Sequence, residues 1–196
     1  EKFPQRFSFS ISYTTRAPRV GEINGMDYHF VSKEDFQKII DEDGFIEYCT
    51  VHSNMYGTAV KELQRIKEEK KIPILDIDVQ GATTVVDKNI DSLFIFVFPC
   101  KEDTSEDKMK EILVKRLKGR GTESEEEIEE RVNGATKEIK AYKEASFFNY
   151  TLVNDDLTVS LLLFTKLFYN NSPFKFIGSH RKIIRNNTKR VCSRIR

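Results

Sequence analysis

Ile74-Leu75-Asp76-Ile77-Asp78-Val79-Gln80-Gly81 decides how this chain is read. An apolar run broken at alternate positions by two acids, then closed by glycine, predicts a buried strand with carboxylates at its carboxyl edge. In open α/β sheets that edge is where ligands bind. Outward from it, segments of strand character alternate with helical ones, which predicts an α/β sandwich around a largely parallel sheet. Upstream, Phe7 to Tyr13 alternates apolar and polar with period two, as a half-buried strand does. Asn24-Gly25 gives a turn signal, and Ser32-x-x-Asp35 a helix start before Phe36, Ile39 and Ile40. Phe45 to Val51 reads as a strand, and Ala59 to Lys71 as a helix closed by Pro73.

Downstream, Leu93 to Phe98 is the most apolar stretch and is expected to be a central strand. A charged helix follows to Lys118, then Gly119-Arg120-Gly121. Ser124-x-x-Glu127 is a capping box that should open a long helix to about Ala145. Tyr150 to Asn154 is expected to be the last strand and Leu157 to Tyr169 the last helix.

With 196 residues, 39% hydrophobic and 32% charged, the chain is sized for one good core. No apolar run reaches the roughly 18 residues of a membrane span, so no membrane partner is expected. The opening EKFPQRFSFS lacks the pattern of a secretory signal. Cys49, Cys100 and Cys192 are odd in number and show no CxxC pairing, which predicts reduced thiols and a cytoplasmic protein. The histidines, His29, His52 and His180, have no metal-ligand spacing. The net charge of +1 hides an asymmetry: residues 173–196 hold eight Lys or Arg and no acid, which leaves −7 on the rest.

Seven stretches, taken in order, resemble the guanylate kinase family. They are Ser12-Tyr13-Thr14-Thr15-Arg16-Ala17-Pro18-Arg19, Gly25-Met26-Asp27-Tyr28-His29-Phe30, Phe45-Ile46-Glu47 and Tyr56-Gly57-Thr58. The others are Leu75 to Gly81, Arg116 to Thr122, and Val153-Asn154-Asp155-Asp156-Leu157. The resemblance implies a P-loop-kinase-like three-layer sandwich with a mainly parallel sheet, formed by residues 1–172. Within it, a β-rich GMP-binding region would span about 13–75 and a helical lid about 116–131. The implied activity is phosphoryl transfer from ATP to GMP, by a monomer.

Each stretch also makes physical sense. Arg16 and Arg19 lie three apart beyond a strand end, where two guanidinium forks can converge on one phosphate. Ser12, Tyr28 and Tyr56 can add hydroxyl donors, and the resemblance assigns all five to the GMP phosphate. Guanine offers two donors along one edge, and a carboxylate accepts twice, so it matches guanine and repels adenine's ring nitrogen. By resemblance Glu47 reads the base, Asp78 helps at the amine, and Thr58 donates to the carbonyl oxygen. Asp76 is the implied Mg²⁺ ligand, since this ion takes one or two carboxylates plus phosphates and waters. The resemblance makes Arg116, Arg120 and Arg131 the catalytic lid arginines, with Arg116, Arg120 and Asn154 also at ATP. A more ordinary reading would make these surface arginines, core tyrosines and capped strand ends.

The sequence departs from the family at its start. The family opens with a strand and a glycine-rich GxxxxGK[ST] loop that cradles the donor phosphates. Nothing here matches them, so the first strand and P-loop are expected to be missing, and turnover with them. The segment between Pro99 and Arg116 is longer than usual, and the basic tail at 173–196 is extra. The tail is the one place where nucleic acid could bind. The alternative function is a non-catalytic scaffold module; the presence of Arg116, Arg120, Arg131 and Asp76 counts against it.

Overall fold

Side-chain chemistry sets most of the helix starts. The computed structural model describes residues 5–51, 53–119, 121, 123–170 and 182–184. These fall into two compact units, Glu1–Asp91 and Ser92–Arg196.

The first unit holds two sheets. Strand β1 (Phe7–Phe9) runs parallel to β6 (Ile72–Ile74). The second sheet has four strands: β2 (Tyr13–Thr14), β3 (His29–Phe30), β4 (Phe45–Val51) and β5 (Asn54–Ala59). Their order is β3-β2-β5-β4, so β5 is bonded along both sides, antiparallel to β2 and to β4. Ser32 Oγ accepts the Asp35 N–H at 3.0 Å and caps α1 (Lys33–Asp41), whose Phe36 is fully buried. Phe36 stacks on Phe45 at 4.5 Å, and Tyr13 and Ala59 complete the cluster. Burying each such ring stabilises by roughly 1.5–3 kcal/mol, which ties α1 to the sheet. Helix α2 (Val60–Glu68) sends Glu62 inward, where Oε1 accepts the Ile11 N–H at 3.1 Å. Asp78 caps α3 (Val79–Asp87).

The second unit has three parallel strands in the order β7 (Ile95–Phe98), β8 (Tyr150–Val153) and β9 (Lys182–Ile184). Its helices are α4 (Glu106–Lys118), α5 (Glu125–Glu144) and α6 (Leu157–Asn170). The α5 capping box forms as read: Ser124 Oγ takes the Glu127 N–H, and the Glu127 side chain returns to the Ser124 N–H. Phe96 stacks on Tyr142 at 4.0 Å, with Phe98 and Phe148 edge-on. The buried Tyr142 hydroxyl shares a hydrogen bond with the Thr151 hydroxyl, so α5 is held to β8 by a polar pair as well as by rings.

Five sequence expectations are corrected. The strand through Asp76 and Asp78 ends at Ile74, because residues 75–78 leave the sheet and Asp78 turns to cap α3. The alternating Phe7–Tyr13 run is two strands in two sheets: Glu62 takes the Ile11 N–H that a ladder would have used. Helix α2 stops at Glu68, and Lys70 follows in the left-handed region at φ 56°. Among the described residues strand β7 lies at one end of its sheet and not in the centre. Strand β8 is not the last, since Lys182–Ile184 within the basic tail pairs with it. The rest of that tail lies outside the described residues.

Candidate functional site

In the first unit, two groups of side chains gather around β5. One is centred on Arg16. The Thr14 Oγ1 accepts the Arg16 N–H at 3.1 Å and Thr14 is fully buried, so the chain leaves β2 with a fixed direction. The Arg16 guanidinium lies 5.4 Å from the Tyr28 ring centroid and 5.6 Å from that of Phe30, within cation–π range. Tyr28 meets Tyr56 edge-on at 6.1 Å. The hydrogen bonds that Arg16 donates to the Glu22 carboxylate raise the Arg16 pKa most, and the neighbouring Tyr56 hydroxyl adds to the effect. Burial holds the Tyr28 phenol above its usual range, with Tyr56 and the Asp76 carboxylate pushing the same way. Arg16, Tyr28, Tyr56 and Asp76 are therefore electrostatic neighbours.

The second group reads from the next residues of the same strand. Glu47 on β4 faces Thr58 on β5, and they are 3% and 0% exposed. Burial raises the Glu47 pKa; Thr58 opposes this and the Asp78 carboxylate reinforces it. Thr58 Oγ1 is buried and makes no hydrogen bond of normal geometry among the described residues. Leaving such a hydroxyl unsatisfied costs about 1–3 kcal/mol, the kind of defect that a ligand can repair. One Asp78 oxygen accepts the Gly81 N–H at 2.7 Å. A Cβ at Gly81 would stand 2.6 Å from Glu47 Oε2, so the missing side chain is what lets the carboxylate reach the first turn of α3.

Of the other expected residues, Ser12 is half-buried and its carbonyl takes the His29 N–H at 2.9 Å. Arg19 is exposed, and its N–H goes to Glu22 Oε2 at 2.7 Å. In the second unit, Arg116 Nη2 donates to the Asn154 carbonyl at 2.7 Å, which joins two of the residues assigned to ATP. Arg131 Nε lies 4.0 Å from Glu123 Oε1, whose side chain is almost wholly buried. Helix α4 stops at Lys118, and Gly121 follows at φ 68°. Arg120 itself lies outside the described residues. Asp76 is exposed, and no cluster of three or more His, Cys, Asp or Glu that could cage a metal occurs among the described residues. A lone carboxylate suits an ion whose remaining ligands are waters and phosphates.

Three residues escaped the sequence reading: Thr14, Glu22 and Gly81. Glu22 had a visible signal, an acid three and six residues after the two arginines. Gly81 had one as well, as the glycine closing the two-acid run.

The comparisons with known proteins agree with this α/β architecture. The guanylate kinase family model matches residues 1–168. Guanylate kinase 1 of Oryza sativa is 43% identical over 157 residues, covering 80% of this chain and 39% of that protein. Guanylate kinase of Schizosaccharomyces pombe is 41% identical over 152 residues, covering 78% of this chain and 71% of that protein. The crystal structure of guanylate kinase from Anaplasma phagocytophilum superposes with a TM-score of 0.64 at 26% identity, over 88% of this chain and 80% of that one. The fold is thus that of a P-loop-type nucleotide kinase. The chain belongs to the guanylate kinase family, and it spans about two-fifths of the length of the plant relatives it matches.

Proposed function

We propose that this chain carries the acceptor site of a guanylate kinase, which binds GMP for phosphorylation by ATP. The observation that carries the reading is the pairing of Glu47 with the unsatisfied Thr58 hydroxyl, two residues along β5 from Tyr56 and the Arg16 group. An anion-holding set and a base-reading set on one strand suit a purine monophosphate. Arg16, Arg19, Ser12, Tyr28 and Tyr56 would hold its phosphate. Glu47 and the second oxygen of Asp78 would accept from the guanine donors, and Thr58 would donate to the guanine carbonyl.

Arg116, Arg120 and Arg131 are assigned to the transferring phosphates, and Asn154 to the donor nucleotide. An arginine that closes on the transition-state charge is worth about 10³–10⁵ in rate. Asp76 is the residue that would hold Mg²⁺, which offsets negative charge on the donor phosphates when bound. The protein is assigned to the cytoplasm on its odd number of cysteines without a CxxC pair. Among the described residues no helix is long and apolar enough to cross a membrane.

Calorimetric titration of the chain with GMP and with AMP tests the base assignment. GMP is expected to bind about 100-fold more tightly, from one or two charge-assisted bonds that adenine cannot make. Equal affinities would remove Glu47 and Asp78 as base readers. Thr58→Val is expected to change the melting temperature little, because it deletes a buried hydroxyl with no hydrogen bond of normal geometry but also the group that favours the Glu47 carboxylate. The same variant should weaken GMP binding about 10-fold. A drop in melting temperature with unchanged GMP binding would make Thr58 a packing residue.

A further inference from the structure

The Arg16 guanidinium has five N–H donors in a rigid plane, and three of them are spoken for. Nη1 donates to Glu22 Oε2 at 3.0 Å and to the Ala17 carbonyl at 2.7 Å. Nη2 donates to Glu22 Oε1 at 2.8 Å. The remaining hydrogens, one on Nη2 and one on Nε, lie along a single edge of the plane. None of the hydrogen bonds just named uses them, and the Tyr56 hydroxyl is close enough to the guanidinium to accept from it, a contact that a bound phosphate would share or replace. Two parallel N–H groups are the shape that grips two oxygens of one phosphate.

Glu22 holds the adjacent edge. Its two oxygens bracket Nη1 and Nη2, and Oε2 also accepts the Arg19 N–H at 2.7 Å. One carboxylate therefore fixes the rotation of Arg16 and the backbone of Arg19 together. An ordinary surface ion pair contributes little. This one is bidentate, its side chains are only 16% and 19% exposed, and it is anchored by a third bond to the main chain.

We propose that Glu22 is a positioning residue for the acceptor phosphate: by gripping the Nη1–Nη2 edge of Arg16 and the backbone of Arg19, it presents the Nε–Nη2 edge of Arg16 to the incoming anion. The proposal rests on the reading of the site as a GMP site. It gives Glu22 a favourable role even though a carboxylate near a phosphate is repulsive. The bound carboxylate neutralises one edge of the guanidinium and leaves the Nε–Nη2 edge, which Glu22 does not use, to the ligand. Arginine locked in one rotamer also loses less side-chain entropy on binding.

Binding of GMP and of guanosine to the wild-type chain, Glu22→Gln and Glu22→Ala, measured by calorimetry alongside melting temperatures, tests this. Guanosine carries the base and sugar without the phosphate, so it reports on fold and base site alone. Glu22→Ala is expected to weaken GMP about 10-fold and leave guanosine unchanged. Glu22→Gln, which keeps one acceptor for the guanidinium, should fall between it and the wild type. Equal losses for GMP and guanosine would reduce Glu22 to a structural residue. Unchanged or tighter GMP binding in both variants would overturn the proposal, the second by showing that Glu22 competes with the phosphate. Wild-type chain that binds GMP no better than guanosine would instead defeat the reading of the phosphate site itself.

Discussion

Glu47→Gln is expected to remove most of the preference for GMP over AMP and, at the same time, to raise the melting temperature of the ligand-free protein at neutral pH. The two effects share one cause. Glu47 is 3% exposed, and burial lifts its pKa above the usual carboxylate value, with the nearby Asp78 adding to the lift. For an acid whose folded pKa is raised, the folded state binds the proton more tightly than the unfolded chain does. Its contribution to stability is complete below the unfolded pKa and is lost as pH rises through the folded one. At pH 7, above the unfolded pKa, keeping Glu47 buried therefore costs stability, and glutamine of the same shape removes that cost. The amide, however, offers one acceptor and one donor where guanine needs two acceptors. The GMP advantage should fall by about 10- to 100-fold, the worth of one charge-assisted bond. Melting curves at pH 4 and pH 7 check the sign: the wild type and Glu47→Gln should differ more at pH 7. A variant less stable than the wild type at pH 7, with base choice intact, would place the carboxylate outside the base site.

The second large effect is expected from Gly81→Ala. Alanine in a helix is about 1 kcal/mol better than glycine, so the change should help α3 if nothing stood nearby. The new Cβ would instead lie 2.6 Å from Glu47 Oε2, 3.2 Å from its Cδ and 3.3 Å from the Ile77 Cβ. The carboxylate is the movable partner, and it must withdraw. Overpacking of this kind costs about 1–3 kcal/mol, partly offset by the helix gain, so net stability should drop by no more than about 2 kcal/mol. Base choice should suffer far more, because the displaced carboxylate is the one proposed to accept from guanine. Loss of the GMP preference in a protein that still melts cooperatively is the expected result. Intact preference would mean that the Glu47 oxygen facing α3 takes no part in reading the base.

Local chemistry was legible in the sequence wherever a few neighbouring residues settle the outcome. Ser124 and Glu127 cap α5 as their spacing says, and Ser32 starts α1. The parallel pairings of β1 with β6 and of β7 with β8 follow from the alternation of strand and helix signals. Legibility failed where a residue's partner is distant. The alternation from Phe7 to Tyr13 gives no hint that Glu62, some fifty positions away, takes the Ile11 N–H and parts the run into two sheets. Asp78 looks the same from its neighbours whether it ends a strand or caps a helix; the bond to the Gly81 N–H decides it. Strand β9 comes from a stretch whose basic character dominates its composition. In the site, the resemblance supplied Arg16, Tyr28, Tyr56, Glu47, Thr58 and Asp78 as a set. It gave no account of Glu22 or Gly81, whose effects pass through the shapes of other side chains.

Strand β5 has neighbours bonded along both edges, and Tyr56 and Thr58 stand two positions apart on it. Two positions of extended chain are about 6–7 Å, and a doubly paired strand has no slack with which to alter that interval. On the proposed reading the strand works as a fixed gauge, set to the distance between a nucleotide's sugar-phosphate end and its base. A ligand with a shorter or longer bridge between those ends can satisfy one end of the gauge or the other, but not both.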